Sequence, residues 1–200
     1  QTYFRIRTGI LPPDAEIAQT SRLIEAVLEE MLDAPLAGSD FERLSAGLVA
    51  VLRDHGAEAT AASVGPHTAG EPSNDDSDEE RWMRRWIIAH QAHAVLNVGA
   101  ARAIRRGTKA ARADDLSASA THLVHACSFV QAFAPARALA LALPPAFYND
   151  VLRPTMTPPL TKKPLSGRMH GEYRSHREEM TELLSAIPSP IAELSPRAPG

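Results

Sequence analysis

One stripe of residues constrains this chain more than any other feature. Trp82, Trp86, His90, His93, Asn97 and Ile104 follow one another at intervals of four, four, three, four and seven. That spacing stacks side chains along one face of an α-helix. No proline interrupts Asp78 to Arg106, so the run predicts one long helix. Arg105 and Arg106 suit its negative C-terminal end, and Gly107 is the expected stop. Two imidazoles and a carboxamide then stand where a plain core would hold leucine. Burying each without a partner costs about 1–3 kcal/mol. A side-chain network or a bound group must satisfy them.

The rest of the chain also reads as helix, and no stretch alternates apolar and polar residues for long. The expected fold class is therefore all-α, a helical bundle. Asp14 is the expected N-cap of a helix to Leu32, with Ile17, Val27, Leu28 and Met31 on its apolar side. Pro35 to Gly38 breaks it. Ser39, with Glu42 three residues on, predicts a capping box for a second helix that ends at Gly56. Residues 57–79 lose periodicity and end in an acidic run, which predicts a flexible surface loop. Asp114 or Asp115 should cap a helix reaching Leu143, with Pro135 kinking or dividing it. Residues 144–167 are punctuated by proline, with one short helical turn expected between Ala146 and Val151. A last helix is expected from Gly167 to Ile187. The opening residues 2–7 read as a short extended arm. The whole reads as a single domain over residues 1–187, followed by a loose tail at 188–200.

Composition excludes several function classes. The chain has 200 residues, 44% of them hydrophobic, and a formal net charge of -3. It can bury one real core, and it carries no concentrated positive field of the kind a nucleic-acid binder needs. Its one cysteine, Cys127, rules out an internal disulfide framework, Cys-rich zinc modules and CxxCH haem attachment. As an axial thiolate it lacks the glycine-rich loop that such a ligand favours. No apolar run is long enough to span a membrane, and no basic leader precedes an apolar stretch. The expectation is a soluble cytoplasmic protein.

The histidines carry the functional signal. His90 and His93 form one HxxH pair and His122 and His125 another; two such pairs on neighbouring helices suggest a metal centre. Carboxylates are missing around them: residues 86–113 and 116–149 hold no Asp or Glu. A carboxylate-bridged dinuclear site is thereby disfavoured, while a histidine-only zinc site stays open. In the last helix, His176 shares the apolar face of Met169, Tyr173, Met180 and Leu183. His170 lies beside that face, in the first turn. Spacing alone does not choose between the two.

Trp86-Ile87-Ile88-Ala89-His90-Gln91-Ala92 resembles the distal-histidine helix of the tryptophan 2,3-dioxygenase superfamily. Leu143-Pro144-Pro145-Ala146-Phe147-Tyr148, Val151-Leu152-Arg153-Pro154 and Arg168-Met169-His170-Gly171-Glu172-Tyr173-Arg174 are similar to its small bacterial branch. That branch comprises histidine-ligated haem enzymes acting on aromatic amino acids, among them tyrosine hydroxylases of antibiotic pathways. After His90-Gln91-Ala92 the chain continues His93-Ala94-Val95-Leu96, where tryptophan 2,3-dioxygenases have Tyr-Glu-Leu-Trp. The resemblance thus implies the haem scaffold more firmly than tryptophan dioxygenation.

The resemblance implies a haem pocket holding haem b, with His170 as proximal iron ligand and His176 as runner-up. Glu172 or a backbone carbonyl would steady the ligand's other nitrogen. His90 would be the distal base, with His93 and Asn97 extending its polar network towards substrate. Arg153 is the candidate partner for a substrate carboxylate, and equally a candidate structural ion pair. Arg174 is the candidate propionate partner, with Arg84, Arg85, Arg102, Arg168 and Arg177 also near the histidine-bearing segments. The implied reaction inserts one oxygen ortho to a phenol, tyrosine to catechol, with hydrogen peroxide or dioxygen as oxidant. Oxygenation of a tryptophan-like indole is the runner-up. A homo-oligomer is expected. The contrasting class is a non-enzymatic helical binding or regulatory module whose histidines only complete a core.

Overall fold

A computed structural model of the chain describes residues 13–54, 77–162, 164–165 and 170–186. All regular structure among them is helical. The long helices are α1 (Pro13–Asp33), α2 (Gly38–Asp54), α3 (Asp78–Arg112) and α4 (Leu116–Gln131). A shorter α5 (Phe133–Ala140) follows, then α6 (Pro145–Phe147), a π-helical turn (Tyr148–Leu152), α7 (Arg153–Thr155) and finally α8 (Gly171–Ala186). The expected opening arm, residues 57–76 of the acidic loop, Arg168, Met169 and the C-terminal tail lie outside the described residues.

α3 is the axis of the bundle, and α1, α2, α4, α5 and α8 all pack on it. Its sequence permits this because the residues facing neighbours are small. Ala89, Ala92, Ala100 and Ala103 are fully buried along one face. Gly99 is buried under the Phe129 ring, where a Cβ would stand 2.6 Å from a ring carbon. Gly107 was the expected stop, yet the helix runs on to Arg112. Leu123 explains the difference: its methyl lies 2.9 Å from where a Cβ would sit. Gly107 is there for close helix packing and not for a left-handed cap.

Local chemistry sets the other boundaries. Ser77 and Glu80 form a reciprocal capping box at the start of α3, which satisfies two otherwise orphaned N–H groups. Asp115 caps α4 by accepting from the Ala118 N–H at 2.9 Å. α4 and α5 separate at Ala132, three residues before Pro135. Proline cannot donate to the carbonyl four residues back, so the expected division falls there. α1 and α2 each begin one residue before the expected cap, at Pro13 and Gly38. The last helix begins at Gly171.

The main core joins Ile24, Val27 and Met31 of α1, Leu44 and Leu48 of α2, Leu96 and Ile104 of α3, and Phe129 and Leu139. A second, smaller core gathers Trp86, Phe147 and Leu152, with Trp82, Tyr148 and Met156 packed against it. The proline-rich connection is thus ordered by its own apolar anchors. It closes the N-terminal half of α3.

Ion pairs fix the directions of the flanking helices. Glu30 of α1 accepts from Arg84 at 2.8 Å and from Arg85 at 3.0 Å, whereas Glu16 meets Arg102 at 3.3 Å. α1 therefore runs antiparallel to α3. Glu179 and Glu182 of α8 pair with Arg105 and Arg112, both at 2.6 Å, so α8 runs parallel to α3. α1 and α8 lie along α3 yet scarcely touch one another. Among the described residues, the groove left between them forms a cavity.

Candidate active site

The cavity has a volume of about 700 Å³, within the roughly 300–1,000 Å³ typical of small-molecule and cofactor sites. Leu23 and Ala26 of α1 and Ile87, Ile88, Val95 and Val98 of α3 give it an aliphatic side, with Glu16, Gln19, Asp54 and Gln91 also in its wall. His90 of α3 and His170, at the threshold of α8, both line it, as does Glu172. Two imidazoles distant in sequence therefore face one cavity.

The tautomer of His90 follows from its partner. Its Nδ1 lies 2.7 Å from the Trp86 carbonyl oxygen. A carbonyl only accepts, so Nδ1–H donates and the neutral ring carries its lone pair on Nε2. A backbone carbonyl holding one ring nitrogen is the usual device for presenting the other to a proton or a metal. The Trp86 ring packs beside it, with centroids 4.3 Å apart. His90 opens to solvent through the cavity, but the concave wall still desolvates its ring. That desolvation holds its pKa below the ordinary imidazole value; the Trp86 hydrogen bond opposes the shift and His170 adds to it. His90 is a neutral base at pH 7.

His93, one turn further on, points to a different place. Its ring sits 5.2 Å from that of Phe133, and Phe133 meets His176 edge-on at 5.3 Å. The Asn97 amide donates to the His93 carbonyl oxygen at 2.7 Å and lies 3.1 Å from His93 Nδ1. The first bond fixes which end of the amide is NH₂, so Nδ1 accepts and the His93 proton is on Nε2. Burial, then the Arg137 charge, lowers the His93 pKa to about 4. Asn97 is fully buried and its Oδ1 has no protein partner. Both ring nitrogens of His176 are likewise buried without one. His93, Asn97 and His176 do not line the cavity wall. They form an inner polar cluster behind it, electrostatically linked to His90 and His170 through His93.

The remaining candidates lie elsewhere. Arg153 is exposed at the start of α7 and Arg174 is exposed on α8; neither lines the cavity. Arg84 and Arg85 are held by Glu30, and Arg85 also donates to the Ala142 carbonyl at 3.0 Å. His125 faces Asp54 at 3.6 Å. Among the described residues no three His, Cys, Asp or Glu side chains converge as metal ligands, so the two HxxH pairs do not build a shared metal centre there. Cys127 is exposed. Arg102, one of the cations named beside the histidine-bearing segments, does stand in its wall, and so does Arg22, which sequence reasoning had not named. The i, i+4, i+8 relation of Ala94, Val98 and Arg102 was the available signal for Arg102.

The model of the family described as SfmD 3-methyl-L-tyrosine peroxygenase matches residues 1–199. The chain belongs to that family. A curated relative, the 3-methyl-L-tyrosine peroxygenase of Streptomyces lavendulae, is 27% identical over 174 residues. The match covers 85% of this chain and 45% of the relative, so the chain spans less than half the relative's length. No solved structure matches. Among the described residues no single helix is long and apolar enough to cross a membrane.

Proposed function

We propose that this chain forms a haem pocket for oxygenating a tyrosine-class amino acid, with hydrogen peroxide as the oxidant. One observation carries the reading: His90 and His170 line the same cavity in a chain of a peroxygenase family. The residues fit the cofactor. A histidine-ligated haem needs one neutral imidazole ligand, an apolar slot and cations for its propionates. The cavity offers all three through His170, its aliphatic side, and Arg22 and Arg102. The resemblance to the tryptophan 2,3-dioxygenase superfamily supports the same cofactor, with His170 as the residue that would hold its iron and His90 as the base.

When bound, the haem supplies the redox chemistry that splits peroxide and delivers one oxygen atom. The chain's residues do the rest. His90, neutral and with its lone pair on Nε2, takes a proton from peroxide or from the phenol. Trp86 keeps that ring in place through its carbonyl and its indole face. The overall change is ArH + H₂O₂ → ArOH + H₂O, ortho to the phenol, giving a catechol. Against a tryptophan-like indole, the family match favours the phenol.

His176 remains the second reading for the iron ligand. Its two buried, unpartnered nitrogens are what an imidazole awaiting a bound group would show. The test of function is incubation of the haem-loaded protein with peroxide and L-tyrosine, 3-methyl-L-tyrosine or L-tryptophan, followed by mass spectrometry. A product one oxygen heavier from a tyrosine supports the reading. Turnover of tryptophan alone, or of none, refutes it.

A further inference from the structure

Both tryptophans of the chain stand in the smaller core, beside the candidate base. The Trp86 ring packs on His90 with centroids 4.3 Å apart and is 4% exposed. Trp82 lies four residues earlier on the same face of α3, where side chains are neighbours. It is half-buried and meets Phe147 edge-on at 5.2 Å. Tyr148 follows Phe147, packs against the same cluster and is half-buried too. The rings thus lead from the cavity wall at His90 towards solvent at Tyr148. The main core is built differently. It draws on aliphatic side chains and phenylalanine and contains no tryptophan or tyrosine. Side chains that give up one electron readily are therefore gathered in one place, next to the imidazole.

We infer that Trp86, Trp82 and Tyr148 form an electron path that restores the site when peroxide is consumed without an amino-acid substrate. The inference rests on the proposed function, which supplies both the peroxide and the haem. In such a turnover H₂O₂ takes up two electrons and two protons and leaves as two waters. With no substrate to oxidise, the protein must supply the electrons. Each one leaves Tyr148, whose O–H bond breaks as its proton goes to solvent, and passes through Trp82 and Trp86 to the cavity. A soluble thiol then gives a hydrogen atom back to Tyr148, and two thiyl radicals combine to a disulfide. Two passages balance one peroxide: 2 RSH + H₂O₂ → RSSR + 2 H₂O.

The test treats haem-loaded protein with peroxide in the absence of substrate and thiol. Oxidised aromatic residues are mapped by peptide mass spectrometry, radicals by freeze-quench electron paramagnetic resonance, and haem survival by the Soret band. Haem-free protein is the control for direct attack, and methionine is left out of the map because it oxidises to the sulfoxide so commonly. Wild type should carry its oxidation on the two tryptophans and Tyr148. Trp86→Phe keeps a ring against His90 but gives up an electron far less readily; it should lose oxidation at Tyr148 and bleach its haem faster. Tyr148→Phe, which serves should Trp86→Phe fold poorly, should lose the tyrosyl signal and leave the oxidation on Trp82. Tyr173, half-buried on α8 three residues after His170, is the competitor outside the cluster. Oxidation of Tyr173 in place of Tyr148, Tyr148 oxidation that survives Trp86→Phe, or peroxide consumption with no aromatic oxidation overturns the path and leaves the proposed function standing. Wild-type protein that binds no haem, or whose haem consumes no peroxide, overturns both.

Discussion

Acid should weaken this fold through His93. Its pKa is lowered from 6.5 to about 4, chiefly by burial. The unfolded chain therefore takes up a proton near pH 6.5 that the native state refuses until about pH 4. Stability rises with pH wherever the unfolded state binds more protons. The contribution of His93 is complete above pH 6.5 and is lost progressively as pH falls towards 4. Between pH 7.5 and 5 the loss from this residue is about 2 kcal/mol, an upper figure because the ring is only half-buried. His90 and His176 are shifted in the same direction and deepen the loss. Urea unfolding at pH 7.5 and pH 5 measures it, for wild type and for His93→Gln. The variant should lose distinctly less stability across that interval. Equal pH dependence in the two proteins would refute the argument that His93 is held neutral.

Three further substitutions test the packing that shapes the cavity. Glu30→Ala leaves Arg85 buried without its counter-charge and should cost about 3–5 kcal/mol in urea unfolding, because Glu30 is 4% exposed. Gly99→Ala drives a methyl into the Phe129 ring and should cost about 1–3 kcal/mol, read as a lower thermal midpoint. Ser77→Ala removes half of the capping box at the head of α3 and should cost about 1 kcal/mol. A loss below 0.5 kcal/mol, roughly the scatter of neutral surface changes, would count against that cap.

The helices were legible because apolar spacing and proline placement act locally. The start of α3 at Asp78 and the division before Pro135 follow from such rules. The extent of α3 was not legible, because a Leu123 side chain from another helix decides whether Gly107 ends it or packs it. The site divided in the same way. One stripe named His90, His93 and Asn97, but the structure turns His90 towards the cavity and His93 towards Phe133. About 60° around the helix separates those fates, and only the placement of α8 and α5 around α3 resolves them. Arg153 was chosen for standing in an ordered connection near the histidines. That connection packs on Trp86 through Phe147 and Leu152 and leaves Arg153 outside the cavity wall. Arg102 lay on the correct face of α3, but nothing local showed that α1 and α8 would leave a groove above it.

The account stands on a macrocycle seated between α1, α3 and α8, and haemin titration followed by absorption measures that most directly. Wild type should develop a Soret band saturating at one equivalent. His170→Ala should lose it, while His90→Ala and His176→Ala should keep haem, with the His90 variant altered in spectrum. A wild-type protein that develops no band, or a band abolished by His176→Ala and untouched by His170→Ala, would contradict the site described above.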